Sequence, residues 1–118
     1  MRIERELMRG AGPVAVLKLL EKGEMYGYEL VDALSKQSDG VLAMGQSTLY
    51  PMLYNLEAKG LIAGTVRDTP AGRERKYYKL TSKGRERLRE QTKQWESVAR
   101  AMQSIGVVSP RPATGGRK

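Results

Sequence analysis

The side chains available for chemistry in this sequence are hydroxyls, amides, carboxylates and cations, because the 118-residue chain contains neither histidine nor cysteine. Without these two residues there can be no disulfide, no thiol nucleophile, no Ser-His pair, and no zinc or copper site with imidazole or thiolate ligands. The carboxylate pairs Glu4/Glu6 and Glu86/Glu90 have arginine neighbours and are typical of solvated helix charges. We therefore expect no catalytic residue, no metal site and no cofactor, and the sequence predicts a protein that is not an enzyme.

Positive charge is concentrated in the second half of the chain. The whole sequence has 21 Lys and Arg against 13 Asp and Glu, a net charge of +8. Residues 1–66 hold 7 basic and 8 acidic side chains, whereas residues 67–118 hold 14 and 5. Such a basic half favours a surface that binds a polyanion, since each phosphate contact releases condensed counterions. The alternative is a solvated basic face that serves solubility alone.

Hydroxyl and amide groups cluster on a helix predicted to follow the turn at residues 45–48. Leu49, Met52 and Leu53, with Leu56 one turn later, form its apolar stripe, and Gly60 suits its end. Pro51 fits near the first turn and would kink a helix that began before Ser47. Polar and apolar groups that can read base edges or hold phosphates lie opposite the stripe: Gln46, Ser47, Thr48, Tyr50, Pro51, Tyr54 and Asn55. The alternative is an ordinary polar helix surface.

A basic β-hairpin is predicted next. The runs 61–67 and 76–80 favour strands, and residues 68–75 between them are rich in turn formers and charge. The cations of this hairpin outnumber Asp68 and Glu74; they are Arg67, Arg73, Arg75, Lys76 and Lys79. We expect the loop to lie along a DNA backbone or in a minor groove, with a solvated loop as the alternative.

Two further helices are predicted to precede these elements. Residues 4–22 favour a helix that is interrupted near Gly10–Gly12, with Pro13 opening a fresh one, and residues 26–38 favour a second helix. Three helices followed by a hairpin is the order of a winged helix-turn-helix domain. The sequence therefore predicts a mainly α (α+β) fold in which residues 1–80 form this DNA-binding domain.

A long last helix is predicted over residues 82–105, with Thr81 as its N-cap. Its length of ~35 Å exceeds what a small domain needs to cover its core. Apolar and amide residues recur at coiled-coil spacing, which predicts a dimerisation seam of Leu88, Gln91, Trp95, Val98, Met102 and Ile105. We assign residues 81–106 to this helix and expect the Pro/Gly-rich basic tail, residues 107–118, to be disordered.

Three blocks of sequence are similar to a known family. They are Gly23–Leu30 (GEMYGYEL), Ser47–Leu53 (STLYPML) and Gly72–Thr81 (GRERKYYKLT). With these blocks in order, the chain resembles the PadR family of bacterial transcriptional regulators from about residue 5 to residue 105. The resemblance implies a homodimer, usually a repressor, that binds a pseudo-palindromic operator in double-stranded DNA and dimerises through its last helix. Family members commonly carry basic residues where this chain has Tyr54 and Asn55, which favours hydrogen bonding or stacking here.

The single tryptophan leaves two interpretations open. Trp95 could pack in the dimer interface, or it could line a pocket for a small aromatic or hydrophobic effector, as the resemblance to drug-binding family members implies. The residues matching that cavity are Met8, Ala11, Val14, Trp95 and Ala99. Ala99 offers no carboxylate for a cationic drug. The alternative to an effector-released repressor is a ligand-independent DNA-binding or architectural protein with no such pocket.

The sequence also predicts where the protein resides. No apolar run approaches the ~20 residues needed to cross a bilayer. The N-terminus, MRIER, has no apolar stretch like that of a secretory signal. We therefore expect no membrane partner and a cytoplasmic location, associated with the bacterial nucleoid through DNA.

Overall fold

The computed structural model describes residues 1–109, which form four helices and three short strands. In chain order the elements are α1 (Arg5–Glu21), β1 (Met25–Tyr26), α2 (Gly27–Gln37), α3 (Gln46–Ala58), β2 (Ile62–Asp68), β3 (Glu74–Leu80) and α4 (Ser82–Ile105). Three helices, a hairpin and a long last helix confirm the predicted winged helix-turn-helix fold. Disorder is predicted for the tail, residues 107–118. From Pro110 onward, these residues lie outside the described part of the chain.

The core lies where the first three helices meet the inner face of the sheet. The apolar stripe predicted for α3 is buried there, with Leu49 and Leu53 fully enclosed. Helices α1 and α2 contribute Leu17, Leu20 and Leu30, and the sheet contributes Ile62, Tyr78 and Leu80. Fully burying a leucine side chain contributes about 1.5–3 kcal/mol. This shared core fixes α3 relative to the hairpin.

Helix α1 is continuous, so the predicted interruption near Gly10–Gly12 is wrong. Pro13 lies inside the helix rather than at a fresh start. Gly12 is buried against α3, where an ideal Cβ would lie 2.6 Å from Cε of Met52 and 3.4 Å from Cε of Met44. The glycine therefore leaves room for the ends of the Met52 and Met44 side chains, and the pattern that suggested a break marks a packing contact instead.

The sheet has the strand order β1-β3-β2 and is antiparallel throughout. The hairpin of β2 and β3, called the wing below (residues 62–80), pairs Ile62 with Leu80 at its base and Asp68 with Glu74 near its tip. The sequence does not predict strand β1, and the helix predicted over residues 26–38 begins one residue later, at Gly27. Strand β1 pairs Met25 with Tyr78 and leads directly into α2 at Gly27.

Helix α4 begins at a well-anchored turn and then leaves the domain. Thr81 Oγ1 accepts a hydrogen bond from the Gly84 amide at 3.0 Å, which confirms the predicted N-cap, and donates to the Gly60 carbonyl at 2.7 Å. The radius of gyration, 16.3 Å, exceeds the ~13 Å of a compact domain of this size, because α4 projects. The helix ends at Gly106, whose φ of 95° is left-handed. No helix within residues 1–109 has both the length and the apolar character to span a membrane.

Candidate nucleic-acid interface

Helix α3 presents one broad polar face away from the core. The structure brings the seven predicted positions together on this face, all of them exposed: Gln46, Ser47, Thr48, Tyr50, Pro51, Tyr54 and Asn55. Tyr54 is the most prominent, with 73% of its surface exposed. The first turn contains no acidic side chain, and its N-cap is Gly45. The N-terminus of α3 carries the positive end of the helix dipole, and no acidic side chain in the first turn would repel a phosphate bound there.

Pro51 is the sixth residue of α3, since the helix begins at Gln46. The helix nevertheless continues through it to Ala58. Proline has no N–H, so the carbonyl of Ser47 lacks the donor that residue 51 would supply in a regular helix. This leaves a main-chain acceptor within the exposed polar face.

Tyr50 is exposed on one side and packed on the other. Its ring lies against Gly27, the first residue of α2, where an ideal Cβ would be 2.6 Å from both Cε1 and the phenol oxygen. Only a residue without a side chain leaves room for the ring in this position. Tyr50 therefore joins α2 to α3, a role that spacing within α3 alone could not indicate.

The tip of the wing is a tight, hydrogen-bonded turn. The Thr69 amide donates to the Arg73 carbonyl at 2.9 Å, and the Gly72 amide donates to the Thr69 carbonyl at 2.8 Å. Gly72 adopts a φ of 80°, which favours glycine. The turn holds Arg73 at the exposed end of the hairpin, where no carboxylate of residues 1–109 forms an ion pair with it.

Two of the five predicted wing cations form ion pairs within the protein. Arg67 makes a two-pronged pair with Glu24, its guanidinium nitrogens lying 2.7 and 2.8 Å from the two carboxylate oxygens. Lys76 Nζ lies 2.9 Å from Glu57 Oε1 on α3. The hydrogen bond from Arg67 lowers the pKa of Glu24, and the hydrogen bond to Glu57 raises the pKa of Lys76. No local pattern in the sequence indicates Glu24 and Glu57 as partners of these cations, because the paired residues are 43 and 19 positions apart.

Aromatic rings connect the cations on the outer face of the sheet. The guanidinium carbon of Arg67 lies 4.8 Å from the centre of the Tyr77 ring, and that of Arg75 lies 4.3 Å from the Tyr26 ring. The two rings meet edge to face, with centres 5.4 Å apart. We call the five side chains Glu24, Arg67, Tyr77, Tyr26 and Arg75 the outer-face ladder.

The wing thus carries cations of two kinds. Arg67 and Lys76 are neutralised by carboxylates of the same chain. Arg73, Arg75 and Lys79 form no ion pair with any residue in the described range. A phosphate placed near the wing would be attracted mainly by the second group, because a cation already paired gains less from a new anion.

The predicted dimerisation residues divide between two environments. Leu88 is only 3% exposed and belongs to the core of its own subunit. Gln91 is half-buried. Beyond it, an apolar stripe is exposed along α4, formed by Trp95, Val98, Met102 and Ile105, the last with 77% of its surface exposed.

Trp95 and Met8, two residues of the predicted effector pocket, line different concavities of the subunit. Trp95 and Val98 line a shallow depression on α4 of about 150 Å³ together with Gln91 and Gln94. Met8 lines a different concavity, between the N-terminal segment and the loop before α3. Ala11 and Val14 are half-buried on α1, and Ala99 is exposed on α4.

Comparison with known proteins relates the chain to one family. The model of the transcriptional regulator PadR-like family matches residues 16–90. The chain is 35% identical over 96 residues to the transcriptional regulator Rv3488 of Mycobacterium tuberculosis, an alignment covering 81% of this chain and 86% of that protein.

Solved structures with the same fold extend this relationship. A transcriptional regulator from Clostridium thermocellum is similar with a TM-score of 0.79 and 25% identity, over 88% of this chain and 98% of that one. PadR of Bacillus subtilis in complex with operator DNA is similar with a TM-score of 0.64 and 24% identity, over 92% of this chain and 52% of that one. The second likeness concerns the fold alone.

Proposed function

Because the chain belongs to the PadR-like family of transcriptional regulators, we propose that it represses transcription by binding, as a homodimer, a pseudo-palindromic operator in double-stranded DNA. Membership of a regulator family, rather than any absent residue, makes the protein a regulator and not an enzyme. One observation carries the DNA-binding proposal: the exposed hydroxyl and amide face of α3 lies beside a wing in which three cations form no ion pair with a residue of the range 1–109.

Helix α3 is the proposed recognition helix. Its exposed face would enter the major groove, where Asn55 can pair with adenine and hydroxyl groups can bind base edges or phosphates. Tyr54, being highly exposed, would stack on or hydrogen-bond to the DNA. Gln46, Ser47 and Thr48 surround the positive end of the helix, which suits phosphate contacts. Tyr50 and Pro51 complete this face.

The wing is the proposed backbone clamp. Arg73, Arg75 and Lys79 would supply most of its phosphate contacts, since no carboxylate of the described residues pairs with them. Arg67 and Lys76 would contribute less directly, because each is held by a carboxylate. The wing therefore supplies affinity, while α3 supplies base preference.

The exposed stripe of α4 supports the homodimer. Trp95, Val98, Met102 and Ile105 form an apolar strip on a helix that projects from the domain, and such a strip is buried when two copies pair. We assign residues 1–80 to the DNA-binding domain and residues 81–106 to the dimerisation helix, with Gln91 one turn before the exposed stripe. A two-fold dimer places two α3 helices about one turn of DNA, or ~34 Å, apart.

Release by a small aromatic or hydrophobic effector is the proposed control. Trp95 and Ala99 of one subunit would face Met8, Ala11 and Val14 across the interface and enclose a pocket between copies. The half-buried state of these three α1 residues supports this proposal, because they are apolar and not fully enclosed by their own subunit. The corresponding location is the cytoplasm, where the protein would be bound to the DNA of the nucleoid.

The test is binding of the full chain to the DNA upstream of its own gene. Footprinting should show two protected half-sites, and fluorescence anisotropy should give at least ~10³-fold tighter binding than to random duplex at the same salt concentration. Equal affinity for both DNAs would favour the alternative, a ligand-independent architectural protein. Titration with phenolic acids and flat aromatic compounds should quench Trp95 fluorescence and weaken operator binding. Quenching without any change in operator affinity would contradict effector release.

A further inference from the structure

The register of the wing places two arginines directly opposite each other. Arg67 on β2 and Arg75 on β3 are cross-strand partners and point to the same outer face. Cβ atoms in such pairs are about 5 Å apart, and like charges at this distance destabilise a hairpin. A local source of negative charge on this face would offset this repulsion.

The outer-face ladder supplies that charge. Glu24 pairs with the two terminal guanidinium nitrogens of Arg67, and the guanidinium lies over the ring of Tyr77. Tyr77 meets Tyr26 edge to face, and Tyr26 in turn lies under Arg75. The electron-rich faces of the two rings attract both cations. Repulsion between the arginines is thus replaced by a continuous row of attractive contacts.

The ladder also connects the wing to the helix-turn-helix. Glu24 immediately precedes β1, and Tyr26 is followed by Gly27, the first residue of α2. The β1 pairing covers only Met25 with Tyr78 and Tyr26 with Tyr77, so side chains must provide much of this attachment. Helix α2 in turn packs against α3, where Gly27 lies against the ring of Tyr50.

We propose that Glu24 is a positioning residue for DNA binding, which through the outer-face ladder holds the wing at a fixed angle to the recognition helix and keeps Arg75 available for phosphate. In this proposal Arg67 is a support of the wing and not a phosphate contact. The DNA-binding part of the proposal rests on the proposed function, whereas the support of the wing does not.

Positioning and simple electrostatics predict opposite signs for the loss of Glu24. Removing a carboxylate from a surface that binds DNA should tighten binding if charge alone matters, because repulsion with phosphate is lost. If Glu24 positions the wing, its removal should weaken binding. Glu74 is the matched control, since it is an exposed acidic residue of the wing and forms no ion pair with a described residue.

The experiment compares Glu24→Gln, Glu74→Gln, Arg67→Gln and the double variant Glu24→Gln/Arg67→Gln in the full chain. Operator affinity is measured at two salt concentrations, and amide hydrogen exchange across residues 62–80 is measured without DNA. We expect E24Q to weaken operator binding about two- to fivefold and to speed exchange in the wing, while E74Q leaves exchange unchanged and binds DNA equally or more tightly. The double variant should bind the operator as tightly as R67Q alone, because both substitutions remove the same ion pair.

The proposal is overturned if E24Q behaves like E74Q in both measurements. It is also overturned if R67Q reduces the salt dependence of binding by one phosphate contact while leaving exchange in the wing unchanged, since Arg67 would then be a direct contact. The exchange measurement needs no DNA. A wild-type protein without operator preference would therefore refute the proposed function, while faster exchange in E24Q alone would still support the role of Glu24 in the wing.

Discussion

The ring of Tyr50 occupies the space that a side chain at position 27 would fill. An ideal Cβ on Gly27 would lie 2.6 Å from two atoms of that ring, closer than real Cβ contacts allow. The pair joins the first residue of α2 to the exposed face of α3, so a side chain at position 27 would disturb the packing between the two helices.

Gly27→Ala should therefore force the Tyr50 ring outward. We expect the free energy of unfolding to fall by about 1–3 kcal/mol, as in other overpacked sites, and operator binding to weaken. In a Tyr50→Ala background the same substitution should cost nothing, which urea denaturation of the four variants would measure. Gly23→Ala is the control, because no atom lies within 4 Å of its ideal Cβ. Equal effects of G27A in both backgrounds would contradict the contact.

Thr81→Ala should destabilise the start of α4. The substitution removes the cap on the Gly84 amide and the donation to the Gly60 carbonyl, at a cost of about 1–2 kcal/mol in the free energy of unfolding. Thr81→Ser keeps the hydroxyl and should retain most of the stability. If serine and alanine variants unfold at the same urea concentration, the cap contributes little.

Asn55→Ala and Arg73→Ala should affect DNA binding differently. Loss of Asn55 should relax base preference at one position of each half-site by about 1–3 kcal/mol, with little change on random DNA. Loss of Arg73 should weaken binding to every sequence and lower the slope of affinity against salt by about one phosphate contact. Anisotropy titrations on operator and random duplex distinguish the two, and identical losses on both DNAs for N55A would refute base reading.

Val98→Asp should separate the proposed dimer, because it places a charge in the exposed apolar stripe of α4. Analytical ultracentrifugation at micromolar concentration should show a dimer for the wild type and a monomer for this variant. Ser97→Asp adds the same charge outside the stripe and should remain dimeric. A wild-type monomer in this range would contradict dimerisation through α4.

The ion pair of Glu24 with Arg67 should make stability depend on pH in a defined direction. Arg67 lowers the pKa of Glu24 below its usual 4.5, so the folded state binds this proton less readily than the unfolded state. The contribution is complete above pH 4.5 and is lost as the pH falls through the lowered pKa. The difference in unfolding free energy between wild type and Glu24→Gln should be constant at neutral pH and shrink in acid. A difference that persists below both pKa values would exclude the ion pair as its source.

Periodic patterns in the sequence predicted those elements in which the spacing of nearby residues determines which side chains are buried. The spacing of Leu49, Leu53 and Leu56 identified both the buried and the exposed side of α3, since a helix fixes which residues share a face. The turn-rich segment between two β-prone runs likewise identified the wing. These features depend on residues within a few turns of one another.

Contacts between distant segments could not be predicted in this way. The two-residue strand β1 exists because Tyr77 and Tyr78 lie beside it, and nothing within residues 25–26 indicates that. Gly12 has the local pattern of a helix break, yet it is a contact with Met52 forty residues later. Leu88 has coiled-coil spacing but is covered by its own core. In each case the tertiary partner decides the outcome.

The continuity of α1 has a mechanical consequence. Its seventeen residues form one helix of about 26 Å, and Gly12 near its midpoint lies against the end of the Met52 side chain. A flexible joint at the glycines would absorb a displacement at Met8 within the first turns. In a continuous helix, a displacement at Met8 would instead be passed along the turns toward Leu20, which is buried in the core at the other end.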